Sequence, residues 1–383
     1  MDKEMIQIAV PSMGDEEFQA LMKPITSGWL TQGPQVKAFE TEFAKIHRTN
    51  YSLATTSCTS ALHLMLLSAG IGPGDEVILP SFTWIATANA VVYCGATPVL
   101  VDIELETFNV NFEEIIAKIS QKTKAVIVVD LFGLCVDIPK LRSLIPSNVL
   151  IFEDAACAAG ASINGTMAGS LSDGAAFSFH PRKSITTGEG GMFITQNKDF
   201  ANTAEKLRNH GAEISEEQRH DGPQPFLLPE FKVLGFNYRM TDLQGAIGLV
   251  QLKKLEKFIR ERNTIAQLYR SELIDLEWLH LPASPSGSTH AWQSFVTYVD
   301  PKLGESFRNQ LMQKLYDLKI STRPGTHAIH MLKYYSNRYD YKEKDLPKST
   351  LANNLSMAIP LHNQLSNSDI ERVINALKTV KVK

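Results

Sequence analysis

Short apolar runs that recur between amphipathic stretches, from about residue 51 to residue 197, constrain the fold of this chain more than any other feature. Two of these runs, Ala125–Asp130 and Val149–Phe152, are almost continuously apolar. Such runs are typical of strands that are covered on both faces, as in a parallel sheet. We therefore predict an α/β fold with a large, mainly parallel sheet, and we expect ligand chemistry in the loops at the strand ends.

The predicted strands and helices alternate along this region. Strands are expected at Ser52–Thr56, Glu76–Pro80, Pro98–Ile103, Ala125–Asp130, Val149–Phe152, Ala175–Phe179 and Gly191–Thr195. Helices are expected at Ser60–Ala69, Ile85–Tyr93 and Phe112–Ile119, and a longer one from Thr241 to Leu273. A smaller α+β region follows, so we predict a large domain over residues 1–245 and a small C-terminal domain over residues 246–383.

The composition is that of an ordinary globular protein and excludes several classes. The chain has 383 residues, of which 44% are hydrophobic and 21% charged, and its net charge of −3 predicts neither a nucleic-acid partner nor a membrane surface. No apolar run reaches the roughly 18 residues of a membrane span. The N-terminus lacks the apolar region of a secretory signal, so we expect a cytoplasmic protein. Its four cysteines have no metal-ligand spacing, and no metal is expected.

One lysine stands at a position where it could carry chemistry. The segment Ser178–Gly191, SFHPRKSITTGEGG, begins at the end of a predicted strand and closes with a glycine-rich turn. Lys183 would be held there on rigid backbone at the sheet edge, where an amine can form a Schiff base and later move protons. Lys183 could also be one surface lysine among many, and the spacing alone favours that second interpretation.

Three further segments place polar or aromatic groups after strands. Asp154 follows a buried strand, where its carboxylate could pair with a ring nitrogen or only cap a turn. The hydroxylic segment Thr55–Leu62 precedes a helix, which favours either phosphate binding or plain N-capping by Thr59 or Ser60. Trp84 could stack on a flat ring or simply pack in the core. None of these segments is decisive alone.

In combination and in this order, the segments TSCTSAL, PSFTW, EDAA and SFHPRKSITTGEGG resemble the sugar aminotransferases of the DegT/DnrJ/StrS family. Those are pyridoxal-phosphate (PLP) enzymes of fold type I, and the resemblance extends from Ser27–Pro34 to the C-terminal helix. It implies PLP as the cofactor, L-glutamate as the amino donor and a keto sugar as the acceptor. It also implies a homodimer with shared active sites and a role in surface polysaccharide or lipopolysaccharide synthesis.

The resemblance implies a role for each matching residue. Lys183 corresponds to the lysine that forms the Schiff base, and Asp154 to the aspartate that pairs with the pyridine nitrogen. The other cofactor contacts implied are Trp84 on the ring, Thr59, Ser60 and Ser178 on the phosphate, and Asn237 on the phosphate of the neighbouring subunit. Because Lys183 would move a proton as a neutral amine, we expect burial or nearby cations to lower its pKa.

Two positions depart from the family pattern. Cys157 follows EDAA, near the cofactor ring, where the family usually has His or Gln, and a thiol is a weaker hydrogen-bonding group than either. Asp130 precedes LFG, where the family often has histidine. The long polar segment Gly211–Tyr238 is expected to reach a partner subunit, since loops of this length are usually functional.

The substrate is indicated less clearly than the cofactor. Arg323, His327 and His330 lie in STRPGTHAIH, which could bind a phosphate or carboxylate or could be a solvated loop. Most family members act on nucleotide-linked 4-keto or 3-keto hexoses. The segments STRPGTHAIHMLKYY and EDAACAAG are instead similar to enzymes that aminate 3,8-dideoxy-8-oxo-manno-octulosonate, a keto-acid sugar without a nucleotide.

Two other functions on the same fold are disfavoured. PLP-dependent sugar dehydratases of the family carry histidine where this chain has Lys183. A PLP-binding regulatory protein would be expected to carry a DNA-binding module, and no segment of this sequence resembles one.

Overall fold

The computed structural model describes residues 4–214, 222–223 and 226–381. In chain order the strands are β1 (Tyr51–Thr55), β2 (Glu76–Pro80), β3 (Phe82–Thr83), β4 (Thr97–Val101), β5 (Thr123–Val129), β6 (Leu150–Asp154), β7 (Ser162–Ile163), β8 (Thr166–Met167), β9 (Gly174–Ser178), β10 (Gly191–Thr195), β11 (Leu279–His280), β12 (Ser288–Thr289), β13 (Phe295–Val299), β14 (His327–Ala328) and β15 (Ser356–Ile359). The α-helices are α1 (Asp15–Ser27), α2 (Pro34–His47), α3 (Cys58–Ser68), α4 (Ala86–Tyr93), α5 (Phe112–Lys118), α6 (Ile138–Leu144), α7 (Lys198–Arg208), α8 (Asp242–Leu273), α9 (Gly304–Asp317), α10 (Lys333–Tyr339), α11 (Pro347–Leu355) and α12 (Asn367–Lys378).

The main sheet has seven strands in the order β1-β10-β9-β6-β5-β2-β4. Four of its six pairings are parallel, and β10 alone in this described sheet runs opposite to the others. Residues 179–190, which join β9 to β10, form turns rather than a helix, so the chain lacks the crossover element that a parallel pair requires. The prediction of a mainly parallel sheet in an α/β fold is confirmed, with one strand reversed.

Helix α8 joins the sheet to the C-terminal region. Its N-cap is Thr241, whose hydroxyl accepts a hydrogen bond from the Gln244 amide while the Gln244 side chain accepts one from the Thr241 amide. The first half of α8 packs beside the main sheet and its second half packs in the C-terminal cluster. A β-carbon at Gly248 would lie 2.7 Å from the Phe39 ring of α2, so this contact requires glycine. Residue 245 falls in the first turn of α8, and the division into two domains there stays a prediction.

The C-terminal region also contacts the sheet through two other connections. Strand β14 pairs with β3, which sets His327 opposite Thr83. The buried carboxylate of Asp102, after β4, accepts hydrogen bonds from the Ser349 amide at 2.6 Å and the Lys348 amide at 2.8 Å, in the first turn of α11. These contacts attach β14 and the start of α11 to the residues that follow β2 and β4 of the main sheet. No helix in the described part of the chain is long and apolar enough to cross a membrane.

Candidate active site

The segments singled out in the sequence meet at one edge of the main sheet. Strand β6 ends at Asp154 and β9 ends at Ser178, and these two strands are parallel neighbours. Gly191 lies opposite both Ser178 and Thr55, the last residue of β1. A β-carbon at Gly191 would lie 2.4 Å from the backbone of the 57–58 turn, so glycine is required where the sheet contacts the start of α3. The sheet thus brings the β6 end, the β9 end and the α3 N-terminus together.

Lys183 lies in the turn after β9, and its side chain is half-buried. Its amide donates to the His180 carbonyl at 2.8 Å, and its Nζ donates to Cys157 Sγ at 3.2 Å. Burial lowers the pKa of Lys183, but the neighbouring Cys157, then Cys58 and Asp154, outweigh burial and raise this pKa above its usual value. The expectation of a lowered pKa is therefore wrong for this structure, because the groups around the amine are acids rather than cations.

Asp154 is buried at the end of β6 and is oriented by two hydrogen bonds. Its Oδ2 accepts from Thr87 Oγ1 at 2.6 Å, and its Oδ1 accepts from the Ala156 amide at 3.2 Å. Burial raises the pKa of this carboxyl, and the two hydrogen bonds and Lys183 partly offset the rise. A buried, fixed carboxylate of this kind is most stable beside a cation. A protonated pyridine ring would supply that cation.

Hydroxyl groups surround the N-terminus of α3. Ser57 is the N-cap and its side chain accepts from the Ser60 amide at 3.1 Å, so the alternative of N-capping by Thr59 or Ser60 is wrong. Ser60 Oγ lies 2.9 Å from both the Thr56 and the Ser57 hydroxyl oxygens. The half-buried Thr59 is the second residue of α3, and its hydroxyl does not cap the helix. Together with the positive helix end, this set of hydroxyls is suited to a phosphate.

Trp84 follows β3 and is 54% exposed, so it is not a core residue and the simple packing interpretation is wrong. Its ring centroid lies 6.0 Å from that of His327, with an angle of 39° between the two planes. His327 is also exposed. An exposed indole beside the strand ends leaves a flat apolar face to cover a bound ring.

A cluster of positive charge lies next to Lys183. Burial, and then the charge of Arg182, lower the pKa of Arg323, while burial, Arg182, Lys183 and Arg323 lower the pKa of His180. The half-buried guanidinium of Arg323 and the exposed one of Arg182 form no ion pair among the described residues. The sequence predictions missed Arg182, although it directly precedes Lys183. The two unpaired guanidinium groups are suited to an anionic ligand.

His330 does not lie among these groups, which corrects its assignment as a substrate residue. It is buried, and its Nδ1 lies 2.7 Å from Ser81 Oγ while its Nε2 lies 3.1 Å from Thr350 Oγ1. Burial lowers its pKa. With both ring nitrogens occupied, His330 joins the loop after β2 to α11 and has no group left for a ligand.

Asn237 is exposed and does not contact Lys183 or Asp154 among the described residues. Its backbone forms a bridge with Asn209, and the carbonyl of the next residue, Tyr238, accepts from the Thr56 amide at 3.0 Å. Asn237 therefore lies on the surface near the start of α3. Residues 215–221 and 224–225 of the preceding long segment lie outside the described residues.

Asp130 and Glu153 form a buried carboxyl pair at the ends of β5 and β6. Asp130 Oδ1 accepts from the Val136 amide at 2.8 Å, and Glu153 Oε2 accepts from the Gly169 amide at 2.9 Å. Asp130 Oδ2 and Glu153 Oε1 have no hydrogen-bond donor among the described residues while both carboxyls are ionised. If one carboxyl is protonated, the two side chains form a hydrogen bond with each other. Burial, and then the charge of Glu153, raise the pKa of Asp130 well above its usual value. We infer that the pair shares one proton.

Asp130→Asn is therefore expected to stabilise the fold, and increasingly so at higher pH. In the folded state the pair keeps a proton that the same carboxyl loses in the unfolded chain above about pH 4. The free energy of unfolding therefore falls as pH rises from about 4 towards the raised pKa of the pair. An asparagine amide would donate to Glu153 and its carbonyl would still accept from Val136. We expect a gain of about 1–3 kcal/mol at about pH 8 and a smaller one at about pH 5, measured by thermal unfolding. Equal destabilisation at both pH values would contradict the shared proton.

The fold and the site together define a PLP-dependent aminotransferase of fold type I. The sequence model of the DegT/DnrJ/EryC1/StrS aminotransferase family matches residues 11–378. The chain belongs to this family, as the motifs in the sequence predicted.

Individual relatives agree with this assignment along the whole chain. The spore coat polysaccharide biosynthesis protein SpsC of Bacillus subtilis (strain 168) is 34% identical over 374 residues, which cover 97% of this chain and 96% of SpsC. The aminotransferase TlmJ from Streptoalloteichus hindustanus is 31% identical, with a TM-score of 0.87 over 97% of this chain and 98% of TlmJ. The PLP form of Spr1654 from Streptococcus pneumoniae is 26% identical, with a TM-score of 0.90 over 98% of this chain and 100% of Spr1654.

Proposed function

We propose that this enzyme moves an amino group from L-glutamate to a keto sugar in the synthesis of a polysaccharide. The observation that carries the proposal is the proximity of Lys183, in the turn after β9, to the buried Asp154 at the end of the neighbouring strand β6. The sugar is supported by two relatives: SpsC is named for spore coat polysaccharide biosynthesis, and Spr1654 is described as a sugar aminotransferase.

The described residues support PLP binding at three positions, which are the carbonyl carbon that an amine would hold, the ring nitrogen and the phosphate. Lys183 would hold the cofactor through Nζ, and Asp154, fixed by Thr87, would keep the ring nitrogen protonated. The hydroxyls of Thr59 and Ser178, with the end of α3, would bind the phosphate. When bound, PLP supplies an electron sink for the carbon that loses a proton.

Lys183 is the group that we propose moves this proton. In the structure its pKa is raised by the acidic groups around it, so an ammonium is favoured. A cation beside Asp154 would neutralise one of those acids and lower the pKa of the amine. Binding of the cofactor and activation of the base would then be coupled through Asp154.

The test is a pair of half-reactions followed by cofactor absorbance. L-Glutamate should convert the bound cofactor to its amine form, and one member of a panel of keto sugars should convert it back. Conversion by glutamate without return by any sugar would overturn the sugar assignment and leave the aminotransferase. Absence of any change with glutamate would favour a PLP-binding regulatory protein.

We further propose that the active unit is a homodimer in which a partner covers an exposed apolar segment. This segment has large side chains at Phe226, Leu228, Phe231 and Leu234, which are 77%, 84%, 59% and 90% exposed. A monomer rarely leaves such a run in water, and the apolar segment ends three residues before Asn237. A partner covering it would bring Asn237 to the interface, in agreement with its proposed contact to the neighbouring cofactor phosphate.

Mixed dimers test the shared site. Lys183→Ala and Asn237→Ala are each expected to be inactive alone, yet subunit exchange between them should restore part of the activity. The reason is that one site in each mixed dimer would keep both residues. Exchange is followed with differently tagged subunits, and steady-state turnover is then measured. Confirmed exchange without recovery would place both residues in the same subunit's site or remove Asn237 from it.

Arg323 is proposed to bind an acidic group of the sugar, together with Arg182. If the sugar is a keto acid such as 3,8-dideoxy-8-oxo-manno-octulosonate, Arg323→Ala should raise KM for the sugar more than KM for glutamate. Loss of one charge-assisted contact costs roughly 1.5–3 kcal/mol, or about a ten- to a hundred-fold change. Arg260→Ala, which removes an exposed guanidinium from α8, is the matched control. Equal KM values in wild type and Arg323→Ala would exclude the contact.

Nucleotide inhibition separates this sugar acid from the nucleotide-linked 4-keto or 3-keto hexoses. UDP, GDP and dTDP should not inhibit an enzyme whose substrate carries only its own carboxylate. Tight inhibition by one of them, competitive with the sugar, would reject the octulosonate and leave the aminotransferase proposal intact.

A further inference from the structure

Cys157 and Lys183 form a thiol–amine pair at the site, and we propose that peroxide joins them through a reversible sulfur–nitrogen bond. The Sγ and Nζ atoms are 3.2 Å apart, and both side chains are half-buried, so a small oxidant can reach them. The link would hold Lys183 away from the cofactor. This consequence rests on the proposed role of Lys183, whereas formation of the link does not.

The structure distinguishes Cys157 from the other three cysteines. Burial raises the pKa of Cys94 to about 12 and the pKa of Cys135 well above its usual value. Burial, and then Asp154, raise the pKa of Cys58 well above its usual value as well. These shifts disfavour the reactive thiolate form of those three cysteines. Cys157 instead lies at hydrogen-bond distance from an ammonium, the setting in which protein thiols react with peroxide.

The reaction balances with hydrogen peroxide as the only added reagent. Peroxide transfers one oxygen atom to Sγ of Cys157, which is oxidised to a sulfenic acid, while the peroxide is reduced to water. The lone pair of Nζ then attacks Sγ, the S–O bond breaks, and hydroxide leaves with a proton from the nitrogen as a second water. The first step removes the thiol that most raises the pKa of Lys183, so it also favours the neutral amine that the second step needs.

A low-molecular-weight dithiol would reverse the link. Its first sulfur attacks Sγ, forms a mixed disulfide with Cys157 and releases Nζ, which takes up a proton. Its second sulfur then attacks the first, which releases the Cys157 thiol and leaves the reagent as a cyclic disulfide. Bound cofactor should protect the pair, because its Nζ is then committed to the cofactor. The His or Gln that is more usual at this position has no sulfur and could not form the link, so the link depends on Cys157 of this chain.

The test treats the cofactor-free protein with hydrogen peroxide and digests it without reduction. We expect a joined peptide containing Cys157 and Lys183, lighter by two hydrogens than the two peptides together, which dithiothreitol separates. Uptake of PLP, followed by its absorbance, should be lost with peroxide and return with dithiothreitol. Protein loaded with PLP before the treatment should give little joined peptide.

Three variants identify the atoms that react. Cys157→Ser should abolish both the joined peptide and the effect of peroxide on PLP uptake, whereas Cys58→Ser should retain them. Lys183→Met should leave a sulfenic acid on Cys157 that dimedone traps. A disulfide between Cys58 and Cys157, a sulfinic acid on Cys157 with free Lys183, or an unmodified protein would each overturn the proposal. A joined peptide with unchanged PLP uptake would instead show that the link forms but that Lys183 is not the cofactor lysine.

Discussion

Replacing Lys183 with alanine should reduce transamination by several orders of magnitude while the fold persists. Under the proposed mechanism, both the covalent hold on the cofactor and the proton transfer would depend on this one amine. The fold should survive because the side chain is half-buried and its Nζ makes one hydrogen bond among the described residues, to Cys157. Turnover with glutamate and thermal unfolding measure the two parts separately. Lys198→Ala, on the exposed start of α7, is the matched control and should change neither.

Borohydride identifies the lysine directly. Reduction of the PLP-loaded enzyme should fix the cofactor on one peptide, and that peptide should contain Lys183. Label on another lysine, or a Lys183→Ala enzyme with ordinary turnover, would reject the assignment and the mechanism built on it.

Asp154→Asn should have the second largest effect, a loss of turnover of at least about two orders of magnitude with weaker PLP binding. Asparagine has the same shape, its carbonyl oxygen can still accept from the Ala156 amide, and its amide nitrogen can donate to the Thr87 hydroxyl oxygen, so packing should be largely unchanged. It carries no charge, however, and cannot keep a ring nitrogen protonated. Cofactor affinity by absorbance titration and turnover would be measured together, and Asp154→Ala should impair both at least as much.

Thr87→Val provides the comparison for Asp154. It removes the 2.6 Å hydrogen bond but leaves the carboxylate in place, so its effect should be much smaller than that of Asp154→Asn. Normal turnover in Asp154→Asn would rule out the proposed role. Equal losses in both variants would indicate that position rather than charge of the carboxylate matters.

The sheet could be predicted from the sequence because burial on both faces leaves continuous apolar runs. The predicted strand at Glu76–Pro80 matches β2 residue for residue, and that at Gly191–Thr195 matches β10. The direction of β10 was not predicted, because an apolar run does not indicate which way its strand points. Only the connection from β9, which contains no helix, reveals the reversal. Helices α1 and α2 were not predicted either. In α1, Phe18 is 64% exposed, so its apolar residues do not follow a buried face.

The location of the candidate site could be predicted where one short segment combines a strand end with a chemically suited side chain. Asp154 and Lys183 each follow a strand end within a motif, and the sheet register then brings those strand ends together. His330 was misassigned because its partners, Ser81 and Thr350, are remote in sequence and only the folded chain shows them. The pKa of Lys183 was misjudged for the same reason, since acidic groups from two separate segments, Cys58 in one and Asp154 and Cys157 in the other, surround its amine.

Helix α8 has a thermodynamic consequence for the whole molecule. Its 32 residues extend about 48 Å at 1.5 Å per residue, and they bury one half in each of two hydrophobic clusters. If either cluster unfolds, apolar surface of α8 becomes exposed. Because the second cluster packs on the same helix, it loses stability as well. Heating should therefore give one cooperative transition in calorimetry, with equal calorimetric and van't Hoff enthalpies, when the protein is studied at constant concentration. Cofactor binding at the sheet edge would then protect the distant C-terminal helices from hydrogen exchange as well.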